Sequence, residues 1–427
     1  MGERENILRY LETEFTEPIR DPIWKHIYLT PAHIKLISLP VFQELHAIRQ
    51  LGPAYLVYPG ATHTRFAHSL GTFHIARRLI TFLVRKSADV PFTLGGVKAY
   101  LCAALCHDLG HYPFAHALKN LGLTDHEVLT GRLLQDEETA GVIAREVGVP
   151  AEKAAAVVDE RLSAGGDEEI PLLRRLLSGV LDPDKLDYLN RDAYYCGVPY
   201  GIQDVDFFLS QVTADRRHGF ILSHNGLTAV ENILFAKYLM YKTVYWHKTV
   251  RTATAMTKKA LLLALRDGEL EPERLYRLTD GGLLELASGR SSRPFEMITE
   301  VFARRLYTSV LRTGFRDDHA GHSRLCDPAV CLRREAELAG SLRAAVGRPV
   351  AEADVIIDIP EALSFEIDLP VAETESDPVP GGTTVWRGRQ ADFFGSTLRT
   401  VSLLVRRDPD LVTAAQRLCR ESDPFHA

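Results

Sequence analysis

The chain has 427 residues, 46% of them hydrophobic and 25% charged, with a net charge of −6 at neutral pH. These are the values of a soluble globular protein long enough for one large domain or two or three ordinary ones, and the acidic balance excludes a global basic field for nucleic acid. Six scattered cysteines exclude a disulfide scaffold, and neither a secretion signal nor an apolar run of membrane-spanning length is present, so a reducing cytoplasm is the expected compartment.

In chain order, apolar residues recur at helical spacing over 71–86, 95–110, 184–197 and 227–265. Turn-forming residues break the pattern at 51–63, 87–96, 163–171 and 196–201. Most of residues 1–310 therefore reads as helix. Beyond about 310 the character changes. Residues 353–360, 363–371 and 400–408 carry β-branched or alternating patterns, 374–384 reads as a mobile loop, and 409–421 reads as a final helix. The expected fold is mainly α: a helical body over 1–310 and a smaller α+β module over 311–427.

The stretch "LCHDLGHYPFAHAL" (105–118) puts His107, Asp108, His111 and His116 into an otherwise apolar context. Buried polar groups are costly unless satisfied, so these residues either bond one another or hold a metal. A helical His–Asp pair projects about 100° apart and offers a mixed N/O donor set suited to first-row divalent ions. Further ligands must come from elsewhere. His68 stands where a helix begins, and Asp184 opens a helix behind Pro183. Asp184, Tyr188 and Asp192 recur at four-residue spacing and share one face, with Lys185 alongside, while Asp187 and Arg191 point elsewhere. Taken singly, each piece has an ordinary reading as a bonded core residue or a solvated face. Together they outline a polar pocket.

The pattern His68, His107–Asp108, Asp184 resembles the HD-domain metal-dependent phosphohydrolases. The segments "FQELHAIRQLGPAYLVYPGATHTRFAHSLG", "CHDLGHYPFAHAL", "DHE", "DPDKLDYLNRD" and "YWHK" follow the order of the deoxynucleoside triphosphate triphosphohydrolases within that family. The resemblance covers roughly residues 20–265. It implies His68, His107, Asp108 and Asp184 as ligands of one divalent ion, whether Fe, Mn, Ni, Zn, Co or Mg, with a second Mg on the substrate phosphates. It implies an acid–base layer of His111, His116, His126 and Glu127. The implied reaction is attack at the α-phosphorus of a dNTP, releasing a deoxynucleoside and triphosphate.

A triphosphate needs cations. Arg65, Lys185, Lys237 and Lys248 are the candidates, with Tyr241 and Tyr245 on the same face of the 227–265 helix. The resemblance puts Arg65, Lys185, Tyr188 and Lys237 on phosphate oxygens, and Gln50, Asp192 and Tyr245 on the sugar. An arginine is usual at the position of Lys237, so the bidentate fork is lost there. Ser38, Glu44 and His46 stand where relatives with a nucleotide activator site carry an aspartate and basic residues, although Gln43 remains. A dGTP-type activator site is therefore expected to be absent or altered. The resemblance also implies a homotetramer or dimer. Nothing indicates a membrane, and nucleic acid is not indicated. Two other readings keep the pocket: a phosphohydrolase of a nucleoside monophosphate, cyclic nucleotide or alarmone, and a nucleotide or nucleic-acid binder without catalysis. "HAGHSRLCDPAVC", with His319, His322, Cys326 and Cys331, lacks a CxxC pair and reads as a loop rather than a zinc site. Cys102 and Cys106 read as core packing.

Overall fold

The computed structural model describes residues 2–86, 92–115, 118, 121–179, 182–215, 219–363, 371–374, 377–379 and 398–426. His116 and most of 364–397 lie outside them. Helices dominate, and the sheets are small. The chain opens with a helix and then an antiparallel hairpin, β1 (Glu17–Asp21) and β2 (Lys25–Leu29), in the register Ile19 opposite Ile27. The hairpin was not foreseen from the sequence. Its inward residues Ile27 and Leu29 are fully buried.

Two helices set the site. Helix α1 (Arg65–Lys86) buries Phe73, Ile80, Leu83 and Val84. Helix α2 (Leu94–Cys106) starts at Thr93, whose hydroxyl accepts from the Gly96 amide at 3.0 Å. Every α2 residue from Val97 to Cys106 except Lys98 is buried. A helix apolar all round can sit only inside a fold, and α2 is surrounded by its neighbours. It ends four residues short of the expected Gly110, with His107 as its C-terminal cap. The His–Asp pair thus leaves the end of the most buried helix instead of riding its side.

Helix α3 (His126–Leu134) follows, then α4 (Pro183–Cys196), which packs across α1. Asp182 caps α4 by accepting from the Lys185 amide at 2.7 Å, Pro183 occupies the first turn, and Gly197 closes the helix in the left-handed conformation at φ 67°. The hairpin β3 (Val212–Asp215) and β4 (Gly219–Ser223) leads into α5 (Leu227–Met240).

The long helix expected over 227–265 is interrupted. Tyr241–Tyr245 form a π-helical turn, Trp246 leaves the helical region, and α6 (Lys248–Arg266) restarts with the His247 side chain accepting from the Thr249 amide at 3.3 Å. π turns widen a helix and re-aim its side chains, and here Tyr241, Tyr245 and Trp246 all face one cavity.

The C-terminal part is α+β. Strands β5 (Thr308–Gly314), β6 (Val355–Asp358) and β9 (Thr400–Val405) form an antiparallel sheet in the order β5-β9-β6. Helices α7 (Pro328–Val346) and α8 (Pro409–Glu421) cover it, burying Leu338, Leu342 and Leu411 against Val401, Leu403 and Val405. The stretch 319–331 is not a loop, since Ala320–Arg324 is a short helix and α7 begins at Pro328. Within the expected loop 374–384, Asp377–Val379 is strand β8, paired with β7 (Val371–Thr374). Among the described residues no helix is long and apolar enough to cross a membrane.

Candidate active site

A cavity of about 620 Å³ lies between α1, α4, α6 and the end of β6. At its wall, the ligand atoms of His68, His107 and Asp184 fall within 4.8 Å of one another. His68 Nε2 is 2.9 Å from Asp184 Oδ1, and His107 Nε2 is 3.8 Å from the same oxygen. Asp108 closes the group, with Oδ1 3.4 Å from His107 Nε2 and Oδ2 3.9 Å from His68 Nε2. Residues far apart in sequence are brought together because α1, the end of α2 and the first turn of α4 meet at one point.

The surroundings orient these groups. His107 Nδ1 is 3.0 Å from the Ala104 carbonyl, which turns Nε2 toward the cluster. That Nε2 is buried with no hydrogen-bond partner among the described residues. Its lone pair is therefore available to an ion. His68 is held at both nitrogens. Burial alone would lower its pKa, but its hydrogen bonds to Asp184 and Asp187, and the charges of Asp184 and Asp108, raise it to about 10. Without an ion the surrounding carboxylates favour the protonated ring. Two imidazoles and two carboxylates around one point suit a divalent cation, and binding one would release that proton.

A second group abuts the first. Asp108 Oδ1 is 3.0 Å from His111 Nδ1, and the His111 and His126 rings lie 3.8 Å apart. Asp108, His111 and His126 also offer ligand atoms within 4.8 Å of one another. Asp108 Oδ2 accepts from Arg65 Nη1 at 2.7 Å. Burial opposes ionisation of Asp108, yet His111, His107 and Arg65 hold its carboxyl well below the usual range. Burial, then the Arg65 charge, push the His111 pKa well below that of an ordinary histidine. Glu127 lines the same cavity.

Of the expected substrate contacts, Gln50, Arg65, Lys185, Tyr188, Asp192, Tyr241 and Tyr245 line the cavity. Gln50 Oε1 is buried without a hydrogen-bond partner among the described residues. Asp192 is already engaged by Tyr245 Oη at 2.6 Å and His63 Nε2 at 2.8 Å. Lys185 is anchored to Asp182 at 2.5 Å and to the Gly179 carbonyl at 2.9 Å. Lys237 and Lys248 are not brought to the wall. Lys248 is exposed at the start of α6, and Lys237 lies beside Lys185, its pKa pushed down to about 8 by burial and by that neighbouring charge.

The interruption at 246–247 turns α6 so that Arg251, Thr254 and Lys258 line the cavity instead. They were missed because a single continuous helix was read. Arg49, Asp358 and Glu361 also line it. Asp187 was missed for a different reason, since the shared-face pattern placed it away from the pocket, whereas its Oδ2 is 2.9 Å from His68 Nδ1. Three of the positions in question for an activator site have local partners, and Glu44 is exposed. Ser38 Oγ donates to the Ile34 carbonyl at 2.7 Å, Gln43 Nε2 to the Ile37 carbonyl at 2.7 Å, and His46 stacks on Phe66 at 3.6 Å. His319, Cys326 and Cys331 form no metal-capable group with His322 among the described residues.

The fold and cluster define a helical protein built round a mixed His/Asp site for a divalent cation. Comparison with known proteins agrees. Residues 65–178 match the HD domain and 204–375 an HD associated region. The chain belongs to the HD-domain phosphohydrolase family, whose HD domains bind a divalent metal.

An uncharacterized protein of Methanocaldococcus jannaschii is 32% identical over 70% of this chain and 60% of its own length. The human deoxynucleoside triphosphate triphosphohydrolase SAMHD1 is 27% identical over 62% of this chain and 48% of its own. The chain thus spans about half to three-fifths of these curated relatives. A crystal structure of a hypothetical protein from Aquifex aeolicus superimposes with a TM-score of 0.68 and 25% identity over 94% of this chain and 99% of that one. A phosphohydrolase from Bacteroides thetaiotaomicron gives 0.69 at 24% over 92% and 100%, a likeness of fold.

Proposed function

We propose that the chain is a metal-dependent dNTP triphosphohydrolase that converts a dNTP and water into a deoxynucleoside and triphosphate. The observation that carries the reading is the continuity of one cavity. The His68, His107, Asp108, Asp184 cluster, the cations Arg65 and Lys185 with Tyr188, and the pair Tyr245 and Gln50 all line it. A scissile phosphorus, a phosphate tail and a sugar need those three environments within one cavity. Similarity to SAMHD1, a deoxynucleoside triphosphate triphosphohydrolase, supports the same substrate class.

In this reading the four-residue cluster holds one divalent ion, which supplies Lewis-acid activation of water and phosphate when bound. Arg65 and Lys185 bind non-bridging phosphate oxygens, and both are held in place by their carboxylate partners. Burial keeps the Tyr188 and Tyr245 phenols protonated, so both donate hydrogen bonds and do not repel phosphate. His111 and the adjacent His126, with Glu127, move the proton that the 5′ oxygen needs as its bond to phosphorus breaks. His116 belongs to the same proposed layer by position in sequence. The Tyr245–Asp192–His63 chain holds a phenol rigidly where a 2′-hydroxyl would lie, which favours deoxyribose.

The test is incubation with each of the four dNTPs and with GTP, in Mn²⁺ or Mg²⁺, followed by analysis of the inorganic product. Triphosphate from dNTPs and little from GTP is the expected result. Pyrophosphate or orthophosphate as the product refutes the reaction.

A further inference from the structure

His68 is the proposed ligand with a carboxylate on its far side. His68 Nδ1 lies 2.9 Å from Asp187 Oδ2, and both side chains are buried. An Nδ1–H donated to a carboxylate keeps the ring proton on Nδ1 when an ion takes Nε2, and Nε2 is the atom that points at Asp184. Asp187 is itself held from three directions. Arg191 Nε and Nη2 donate to its two oxygens at 2.8 and 2.9 Å. Trp24 Nε1 donates to Oδ1 at 2.5 Å. Arg191 in turn donates through Nη1 to Asp21 Oδ2 at 2.8 Å, and Asp21 Oδ1 accepts from the Ile23 and Trp24 amides at 2.9 and 2.8 Å. Asp21 ends β1, so the β1–β2 turn is tied to the cluster through one unbroken line of bonds. Gly71, one turn after His68 on α1, leaves the room, because a Cβ there would overlap Asp187 Oδ1 and Arg191 Nη2.

We infer that Asp187 is the positioning residue of the metal centre, orienting His68 through Nδ1, and that the N-terminal hairpin is part of its support. The inference rests on the reading of His68 as a metal ligand. A purely structural ion pair needs only Asp187, Arg191 and Asp21. The bond to His68 and the indole donor on the remaining lone pair are what such a pair leaves unexplained. Burying two carboxylates and a guanidinium is weak as a device for stability alone, and outer-shell partners of ligating histidines are worth about 10–100-fold in metal affinity.

The experiment compares the full-length protein with Asp187→Asn and Trp24→Phe. Mn²⁺ affinity is read by competition with a chelator, the Nδ1 proton of His68 by NMR on ¹⁵N-histidine-labelled protein, and folding by circular dichroism and metal-free melting. Asp187→Asn is expected to lose about 10–100-fold in Mn²⁺ affinity and the downfield Nδ1–H signal. Trp24→Phe keeps the packing on His74 and is expected to show a smaller loss in affinity and a smaller drop in the metal-free melt than Asp187→Asn. A folded Asp187→Asn with wild-type affinity and signal overturns the inference. Should Asp187→Asn not fold, Trp24→Phe decides, and unchanged affinity there overturns it. If the wild type takes up no Mn²⁺, the functional reading fails instead. The Nδ1–H signal then decides this inference, supported by its loss in Asp187→Asn and overturned by its persistence.

Discussion

His107 stands one residue beyond the last turn of a helix buried on all sides. Its Nδ1 is taken by a carbonyl and its Nε2 has no hydrogen-bond partner among the described residues. A side chain placed at that cost is expected to be indispensable to the bound ion. His107→Ala should retain the fold, lose stoichiometric divalent metal by elemental analysis, and lose turnover by more than the ~100-fold typical of outer-shell changes. A different histidine makes a pH prediction free of the metal. His33 is fully buried among Phe15 and Phe73, with Nδ1 2.7 Å from Thr30 Oγ1. Burial first, then the nearby Lys98 and Arg77 charges, lower its pKa to about 3. The folded value lies below the unfolded one of ~6.5. Its contribution to stability is therefore present above that pH and is lost progressively as pH falls toward the folded value. Between pH 7 and 5 the loss is about 2 kcal/mol. His33→Phe, which cannot titrate, should flatten this acid limb in urea denaturation by about that amount.

Elements show why some of this was legible and some not. His68 and Asp184 stood out because each stands near the start of a helix, Asp184 directly behind Pro183. Asp187 did not, because helical periodicity assumes one polar face and one buried face. α4 is enclosed on more than one side, so Asp184 faces the cavity while Asp187 and Arg191 are polar in the core. The break at 246–247 carries no glycine or proline, and a π turn has no marked composition, so α6 kept its reading but lost its orientation. The short hairpin near the N-terminus has prolines within and beside its first strand, which local propensity scores against strand, and tertiary packing overrode that.

The loop after the dyad is set by an element it touches. Gly110 donates its amide to Thr130 Oγ1 at 2.8 Å, and a Cβ on it would overlap the His126 carbonyl and the Thr130 amide. Gly110→Ala must push α3 and its His126 away from His111. It is expected to cost about 1–3 kcal/mol, as over-packing does, and to lower kcat more than it raises KM. A chevron-independent urea titration and steady-state kinetics read the two effects separately.

At the scale of the whole molecule, the C-terminal sheet is joined to the helices of the site by buried charge. Lys259 on α6 and Glu335 on α7 are 2.5 Å apart, with side chains 3% and 4% exposed. Glu335 Oε1 also accepts from the Ile357 amide of β6 at 2.7 Å. The next residue of that strand, Asp358, chelates Arg251 on the cavity wall. One α6 face therefore carries both cavity residues and the anchor of the sheet, so loosening the anchor is felt in the cavity. Removing one partner of such a pair strands the other, at about 3–5 kcal/mol, whereas replacing both is much milder. Lys259→Met is expected to fall in that range by urea denaturation. Lys259→Met with Glu335→Gln is expected to recover most of the loss, because glutamine still accepts from Ile357. The single variant should also be pH-sensitive. Burial already raises the Glu335 pKa, with Lys259 opposing it, and without the lysine it rises further above its unfolded value. A group whose folded pKa is raised stabilises below that pKa and loses its contribution as pH rises. The gap between Lys259→Met and the wild type should therefore narrow from pH 8 to pH 5, while the gap for the double variant stays level. A single-variant deficit that does not change with pH would show that Glu335 is not the stranded charge.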